Sequence, residues 1–205
     1  MVQGVPAETM GQPQMTRGHS SHRSTGRRSR QARPARHASG AGPRPPSSKL
    51  MTLSKLLFAL RPARRAGRTI VFTNGVFDLL HPGHVKLLAR AREMGDLLVV
   101  GVNSNASVRR LKGPDRPFVS LRDRELMLAS LEAVDYVVSF TQDTPLRLIE
   151  RIQPDLLVKG GDWKSGAIVG KDLVESRGGR VVRVPVLEGF STTKIARSVR
   201  ARRQV

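Results

Sequence analysis

The 205-residue sequence contains no cysteine. A chain without thiols has no disulfide framework, no thiolate metal site and no cysteine nucleophile. Long apolar runs are also missing: no stretch reaches the roughly 18 residues that a bilayer-spanning helix needs, and the N-terminus lacks the apolar segment of a secretory signal. We therefore expect a cytoplasmic protein that has no membrane partner.

Acidic residues are scarce at the two ends of the chain. Residues 1 to 68 contain fourteen lysines and arginines but one acid, Glu8, and the residues from Lys194 onward contain five basic side chains and no acid. Residues 69 to 193 contain seventeen basic and fifteen acidic side chains. The net charge of +20 therefore belongs mainly to the ends. A basic pI alone would favour a nucleic-acid partner, but here it does not describe the central region.

Aromatic residues are also few, with six phenylalanines, one tyrosine and one tryptophan. Proteins that hold single-stranded nucleic acid stack its bases on such rings. The central region also shows no nucleic-acid-binding motif. We expect no nucleic-acid partner, and a nucleic-acid-binding module is the least favoured of the functions considered.

Apolar residues are rare in residues 1 to 48, which are built mainly from Arg, Ser, Gly, Pro, Gln and His. Such a segment cannot bury enough apolar surface to offset the entropy of ordering. We predict a disordered basic tail over residues 1 to 50. A linker helix is predicted within residues 51 to 68, where four leucines recur at helical spacing, and a single globular domain is predicted over residues 69 to 205.

Beyond the linker, short runs rich in β-branched residues alternate with helical patterns. The predicted strands cover residues 69–73, 97–102, 135–140, 156–159 and 181–184. The predicted helices cover residues 82–94, 105–111, 121–131, 144–152, 171–176 and 192–203. Strands that alternate with helices indicate right-handed crossovers and a parallel sheet covered on both faces. The predicted fold is therefore α/β, a Rossmann-like doubly wound parallel sheet.

Residues suited to phosphate chemistry cluster after the first strand of this sheet. Asn74 and Gly75 follow the strand directly, and His81, Gly83 and His84 stand at the start of the next helix. Ligands bind beyond the carboxyl ends of parallel strands. A helix N-terminus attracts phosphate, and glycines let it approach the backbone closely. The pattern predicts a phosphate site in which two imidazoles donate to one anion.

Four segments, in order, resemble the signatures of the cytidylyltransferase-like nucleotidyltransferase superfamily. The run GVFDLLHPGH contains its His-x-Gly-His motif, RLKGPDRP resembles its basic loop, LVKGGDW its nucleotide-side loop, and GFSTTKI its closing serine and threonine signature. The resemblance covers nearly all of residues 69 to 197. Within the superfamily the sequence is most similar to the adenylyltransferases that convert D-glycero-β-D-manno-heptose 1-phosphate to ADP-heptose.

The resemblance implies transfer of AMP from ATP to a sugar 1-phosphate, with Mg²⁺ accompanying the ATP and pyrophosphate leaving. It gives catalytic roles to His81, His84 and Lys112. It gives nucleotide binding to Asn74, Gly75, Val76, Phe77, Gly83, Lys159, Gly160, Asp162, Ser191, Thr192 and Thr193. It gives contacts with the substrate phosphate to Asp78, Lys86 and Arg116. We expect no metal site made by the protein itself, because all other histidines lie in the tail.

Two positions depart from the pattern of the heptose subfamily. Val76 stands where cysteine is usual, and Asn105 stands where aspartate is common, a change that can alter substrate or metal contacts. The alternative function is a cytidylyltransferase acting on glycerol 3-phosphate or a similar small phosphate. Heptose adenylyltransferases are often fused to a sugar kinase, and this sequence shows no kinase pattern. We therefore expect a separate sugar kinase as functional partner, and a homodimer, which is frequent in the family.

Overall fold

The computed structural model describes residues 44–161, 168–185, 187 and 189–201. Five strands and seven α-helices lie within these residues. The strands are β1 (Ile70–Gly75), β2 (Leu97–Asn103), β3 (Tyr136–Phe140), β4 (Leu156–Gly160) and β5 (Arg180–Val184). The helices are α1 (Leu53–Arg65), α2 (Pro82–Glu93), α3 (Asn105–Lys112), α4 (Leu121–Ser130), α5 (Leu146–Ile152), α6 (Lys171–Glu175) and α7 (Thr192–Ala201). A short 3-10 helix, Pro46–Lys49, precedes α1.

The strands form one parallel sheet in the order β3-β2-β1-β4-β5. The first three strands extend the sheet in one direction, and the chain then crosses back so that β4 pairs with the free side of β1. The strand order thus reverses between β1 and β4, and this is where doubly wound sheets bind ligands. The predicted Rossmann-like α/β class is confirmed, and each predicted strand and helix of the domain is present.

Apolar side chains cover both faces of the sheet. Every residue of β2 is buried, as are the first four residues of β1, as expected for strands that pack against helices on two sides. On one face, α1, α5 and α6 pack against the sheet. On the other face, α2 and α4 provide the cover. Continuous apolar runs in the central strands therefore follow from two-sided burial.

Three aspartates connect the strands at their amino ends. Each lies directly before one strand and accepts a backbone N–H bond from the start of the neighbouring strand: Asp96 from Thr69 at 2.8 Å, Asp135 from Leu98 at 2.8 Å and Asp155 from Ile70 at 2.7 Å. A carboxylate that accepts from a backbone amide makes a charge-assisted bond. The edge of the sheet opposite the ligand-binding edge is therefore closed by short polar contacts.

Local signals account for the helix boundaries. The hydroxyls of Thr52, Ser104 and Ser120 each accept a bond from the backbone amide three residues later, and so cap α1, α3 and α4. Pro82 occupies the first turn of α2, where no N–H is needed. Gly113 ends α3 with a φ of 98°, a conformation that glycine adopts without strain.

The predicted boundary of the tail is wrong for residues 44–50, which pack against the core. Lys49 is buried and donates a bond from Nζ to the carbonyl of Leu131 at 3.0 Å. Burial, together with the charge of Arg44, lowers the pKa of Lys49. Leu50 forms a parallel bridge with Val137 of the edge strand β3. Residues 1–43, to which the prediction of disorder also applies, lie outside the described residues.

Polar contacts explain why composition alone misplaced this boundary. Arg44 donates to the carbonyl of Asp135 at 2.9 Å, and its guanidinium lies 5.0 Å from the centre of the Tyr136 ring. The segment thus covers the exposed side of β3, where unpaired backbone groups would otherwise meet solvent. Contacts of this kind depend on the neighbouring strand, and a count of apolar residues in the segment does not register them.

A chain beginning at Met51 will be less stable than one beginning at Arg44. The shorter chain loses the Lys49 hydrogen bond and the contacts of Leu50, which together contribute about 1–3 kcal/mol. We expect its midpoint of thermal unfolding to fall by roughly 3–10 °C, as measured by circular dichroism on both chains in one buffer. Equal midpoints would show that residues 44–50 add nothing to the fold.

Candidate active site

A cavity of about 610 Å³ opens at the carboxyl ends of β1, β2 and β4, at the point where the strand order reverses. It brings together most of the residues that the sequence assigns to the site. These are Asn74, Gly75, Val76, Phe77, His81, Gly83, His84, Lys112, Lys159, Gly160, Ser191 and Thr192. They come from four separate parts of the chain, so the fold itself assembles the site.

Four other predicted site residues do not line this cavity. Lys86 is exposed on α2, and Thr193 is exposed on the first turn of α7. Asp78 and Arg116 are also outside the cavity lining. Asp162, predicted to bind the nucleotide, lies outside the described residues.

Asp78 and Arg116 pair with each other instead of facing a ligand. The carboxylate of Asp78 is 1% exposed, and its Oδ1 accepts backbone bonds from Phe118 at 2.8 Å and Val119 at 3.0 Å. Its Oδ2 lies 2.9 Å from Nε of Arg116. In this structure their paired charges hold loop 113–120 against the end of β1, and the contact of both residues with the substrate phosphate stays a prediction.

The two histidines of the motif stack on one another at the start of α2. Their ring centroids are 3.8 Å apart with an interplanar angle of 20°. Burial lowers the pKa of His81, and burial together with the neighbouring His81 lowers the pKa of His84 to about 4. Both rings are therefore neutral near pH 7. A neutral imidazole has one N–H donor and one acceptor nitrogen, so each ring can donate to a phosphate oxygen.

The ring of Phe77 packs against this pair of histidines. Its ring meets that of His84 edge to face at 5.1 Å. Its φ of 48° is unusual for a residue with a bulky side chain and places strain at this turn. A Cβ atom on Gly75 would lie 3.1 Å from the Phe77 ring, so the glycine allows the ring to take this position. The conformation of the turn thus sets the orientation of His84.

Lys159 connects the two strands on either side of the reversal. It is the next-to-last residue of β4, and its Nζ donates to Oδ1 of Asn74 on β1. Burial lowers the pKa of Lys159 to about 8. An ammonium group has three donors, so the contact with Asn74 leaves two for a ligand. A partly buried cation at the floor of a cavity is well placed to bind a phosphate group.

The start of α7 forms another wall of the cavity. Ser191 and Thr192 line it together with Phe190, and the backbone N–H of Ile195 donates to the carbonyl of Ser191 at 3.1 Å. The positive end of the helix dipole attracts anions to a helix N-terminus. With Lys159 and the two histidines, this wall provides donors on several sides of one anion.

Arg124 is an organising residue that sequence reasoning missed. Its side chain is 0% exposed and donates to the carbonyls of Val76 at 2.6 Å, Asn103 at 2.9 Å and Val119 at 3.1 Å. It also donates to Oδ1 of Asn105 at 2.8 Å. One guanidinium therefore joins the ends of β1 and β2, the start of α3 and the loop before α4. The sequence did contain one signal for it. Arg124 stands four residues before Leu128 and therefore lies on the same, buried face of α4.

The same contact explains the substitution at position 105. Asn105 points its Oδ1 at Arg124 and does not line the cavity. An asparagine supplies the same kind of oxygen acceptor as aspartate, although without the charge. The change therefore affects how Arg124 is held. Val76, the other departure, lines the cavity floor while its carbonyl is bound by Arg124.

Comparisons with known proteins agree with this geometry. A family model described as Cytidylyltransferase-like matches residues 72–198, more than half of the chain. Bifunctional protein HldE of Syntrophotalea carbinolica is 57% identical over 148 residues, which is 72% of this chain and 30% of that protein. Bifunctional protein HldE of Geotalea uraniireducens is 54% identical over 153 residues, or 75% of this chain and 31% of that protein. The chain thus spans about a third of the length of these curated relatives.

A solved structure shares the fold. The lipopolysaccharide core biosynthesis protein from Thermoplasma volcanium GSS1 matches 60% of this chain and 100% of its own, with 27% sequence identity and a TM-score of 0.50. Among the described residues, no helix is both long and apolar enough to cross a membrane.

Replacing Arg124 with methionine will destabilise the protein. The variant leaves several buried carbonyl oxygens without a donor, at a cost of at least about 2 kcal/mol in the free energy of unfolding. The matched control is Arg122→Met on the exposed side of the same helix, which we expect to stay within about 0.5 kcal/mol of the wild type. Urea unfolding measures both. A similar small change in the two variants would contradict the organising role of Arg124.

Proposed function

Because this chain belongs to the cytidylyltransferase-like family, we propose that it transfers AMP from ATP to D-glycero-β-D-manno-heptose 1-phosphate and releases pyrophosphate. The observation that carries this proposal is the stacked, neutral pair His81 and His84 beside Lys159 in one cavity. The relatives named HldE are bifunctional proteins. A chain that covers about a third of their length is consistent with one of two activities.

In this reaction an oxygen of the acceptor phosphate attacks the α-phosphorus of ATP in line. The new O–P bond forms as the bond to the β-phosphate oxygen breaks, and the electron pair leaves with pyrophosphate. Negative charge grows on the α-phosphoryl oxygens during this step. The imidazoles of His81 and His84 are already neutral. Each can therefore donate its one N–H to these oxygens without first releasing a proton. Preorganised donors of this kind contribute on the order of 10²- to 10³-fold in rate.

Other residues of the cavity fit the binding of the triphosphate. Lys159 places a cation at the floor, while Ser191 and Thr192 provide the N-terminal wall of α7. We assign them to the β- and γ-phosphates. Lys112, at the end of α3, is the cation on the opposite side of the cavity, and we assign it to charge on the reacting phosphates. The nucleotide then spans the reversal between β1 and β4.

Mg²⁺ is expected to arrive with ATP. Within the described part of the chain, no group of three or more histidine and acidic side chains is arranged to hold a metal ion. The ion would therefore be held mainly by phosphate oxygens and water, as Mg²⁺ often is in nucleotide sites. When bound, it screens the charge of the leaving pyrophosphate.

We also propose two partners. The acceptor is a sugar 1-phosphate, and a sugar kinase is the partner that we expect to supply it. A homodimer is the expected assembly. Size-exclusion chromatography with light scattering distinguishes a dimer from a monomer of 22.5 kDa.

A release assay for pyrophosphate tests the proposed function. We expect release only when ATP and heptose 1-phosphate are both present, with CTP and glycerol 3-phosphate giving a specificity constant at least about a hundredfold lower. A site that hydrogen-bonds one base leaves its polar groups unpaired with another, which can discriminate this strongly. The highest specificity constant with CTP and glycerol 3-phosphate would instead assign the chain to the cytidylyltransferase alternative.

Removing the imidazole of His84 will slow turnover without unfolding the protein. We expect His84→Ala to reduce kcat at least about a hundredfold, because a contact made in the transition state is lost. Arg90→Ala, on an exposed residue of the same helix, serves as the control and should keep kcat within about twofold. Wild-type turnover by a folded His84→Ala protein would exclude a catalytic role for this residue.

The pH dependence of kcat/KM for ATP will report the protonation state of Lys159. Its pKa is lowered to about 8 by burial, so the side chain is cationic below that pH and becomes neutral above it. We expect kcat/KM to fall as the pH rises through about 8, because affinity for the triphosphate decreases with the loss of the charge. Lys159→Arg keeps its charge throughout this range. The decline should therefore disappear in this variant, and an unchanged decline would assign it to another group.

A further inference from the structure

The cavity has a second half that the roles above leave largely unassigned. It is lined by Leu111 and, from the loop after β3, by Asp143, Thr144 and Pro145. Asp143 is the unexpected member. A carboxylate in a cavity for phosphate groups repels them, since like charges close together raise the energy of both. Its presence calls for a ligand group that is neutral and can donate a hydrogen bond.

Arg110 holds Asp143 in a specific way. Nε of Arg110 donates to Oδ1 of Asp143 at 2.8 Å, and its Nη2 lies 2.6 Å from the same oxygen. The same Nη2 also donates to the carbonyl of Thr141 at 2.6 Å. Arg110 therefore contacts the carboxylate through one oxygen and connects the end of α3 to the loop after β3. Within the described part of the chain, Oδ2 accepts no hydrogen bond, and Asp143 lines the cavity.

We propose that Asp143 is a specificity-determining residue that binds hydroxyl groups of the acceptor through Oδ2, with the hydroxyl of Thr144 beside it. This inference rests on the proposed function and names the chemistry at the acceptor end: a polyhydroxylated phosphate. Lys112 takes the phosphate end of the acceptor, and Asp143 takes the hydroxyl end. Arg110 offsets part of the negative charge through Oδ1, while Oδ2 accepts from the ligand.

Hydroxyl recognition of this kind predicts selectivity rather than general affinity. A site whose polar groups are matched to a substrate hydroxyl rejects the analogue that lacks it, because the group in the protein is left unpaired. Wild-type protein should therefore prefer heptose 1-phosphate to deoxy analogues of it. For at least one hydroxyl position we expect a ratio of kcat/KM values of about tenfold or more.

The experiment compares Asp143→Ala with Arg110→Leu. Asp143→Ala removes the proposed acceptor, whereas Arg110→Leu removes the link to the loop and keeps the carboxylate. For each full-length variant we would measure the midpoint of thermal unfolding, the KM for ATP, and kcat/KM for heptose 1-phosphate and its deoxy analogues. The proposal predicts that Asp143→Ala reduces the hydroxyl-dependent ratio by about tenfold and leaves the KM for ATP within about twofold. Arg110→Leu should keep most of the ratio.

Two results would overturn the proposal. One is an unchanged ratio in a folded Asp143→Ala variant. The other is an equal loss of the ratio in Arg110→Leu, which would make Asp143 a structural partner of the loop only. If the wild-type protein uses glycerol 3-phosphate instead of heptose 1-phosphate, the proposed acceptor is wrong. The same ratio is then measured with glycerol 3-phosphate and its deoxy analogue, so that the role of Asp143 is still decided.

Discussion

The buried guanidinium of Arg124 is the interaction on which the geometry of the site depends. Strand ends and loops at the ligand-binding edge of a parallel sheet have carbonyl groups with no partner in the sheet. Arg124 binds such carbonyls on Val76 and Asn103 from beneath the cavity. The cavity can then stay open to a ligand while its floor is held by the protein. The charge is tolerated because every bond reaches a fixed oxygen and Asp78 lies close enough to favour the cation.

Arg124 is connected to the histidines through a short series of contacts. Arg124 fixes the carbonyl of Val76, the next residue is the strained Phe77, and the ring of Phe77 packs against His84. Strain of this sort persists only where the surrounding structure holds the residue in place. The stacked rings are consequently neutral and oriented before any ligand binds. A site that reacts through donors already in position needs little rearrangement as charge develops.

The order of strands and helices was predictable from sequence because its signals are local. Apolar runs mark β1 and β2, and Pro82 marks a helix boundary that depends on the chain nearby. Most of the residues that line the cavity were predicted because they belong to continuous motifs. Partnerships between distant charged side chains were not predictable. The sequence RPFVS offers no sign that Arg116 turns towards Asp78, nor does the composition before Met51 show the contact of Lys49 with Leu131.

The central claim is that AMP passes directly from ATP to the acceptor, held by donors and cations and without a covalent intermediate on the protein. Exchange of labelled pyrophosphate into ATP measures this most directly. The account predicts exchange when the ADP-sugar product is present, since that product returns AMP to pyrophosphate, and no exchange with ATP and pyrophosphate alone. Exchange without any acceptor or product would reveal an adenylylated side chain and would contradict the direct transfer described here.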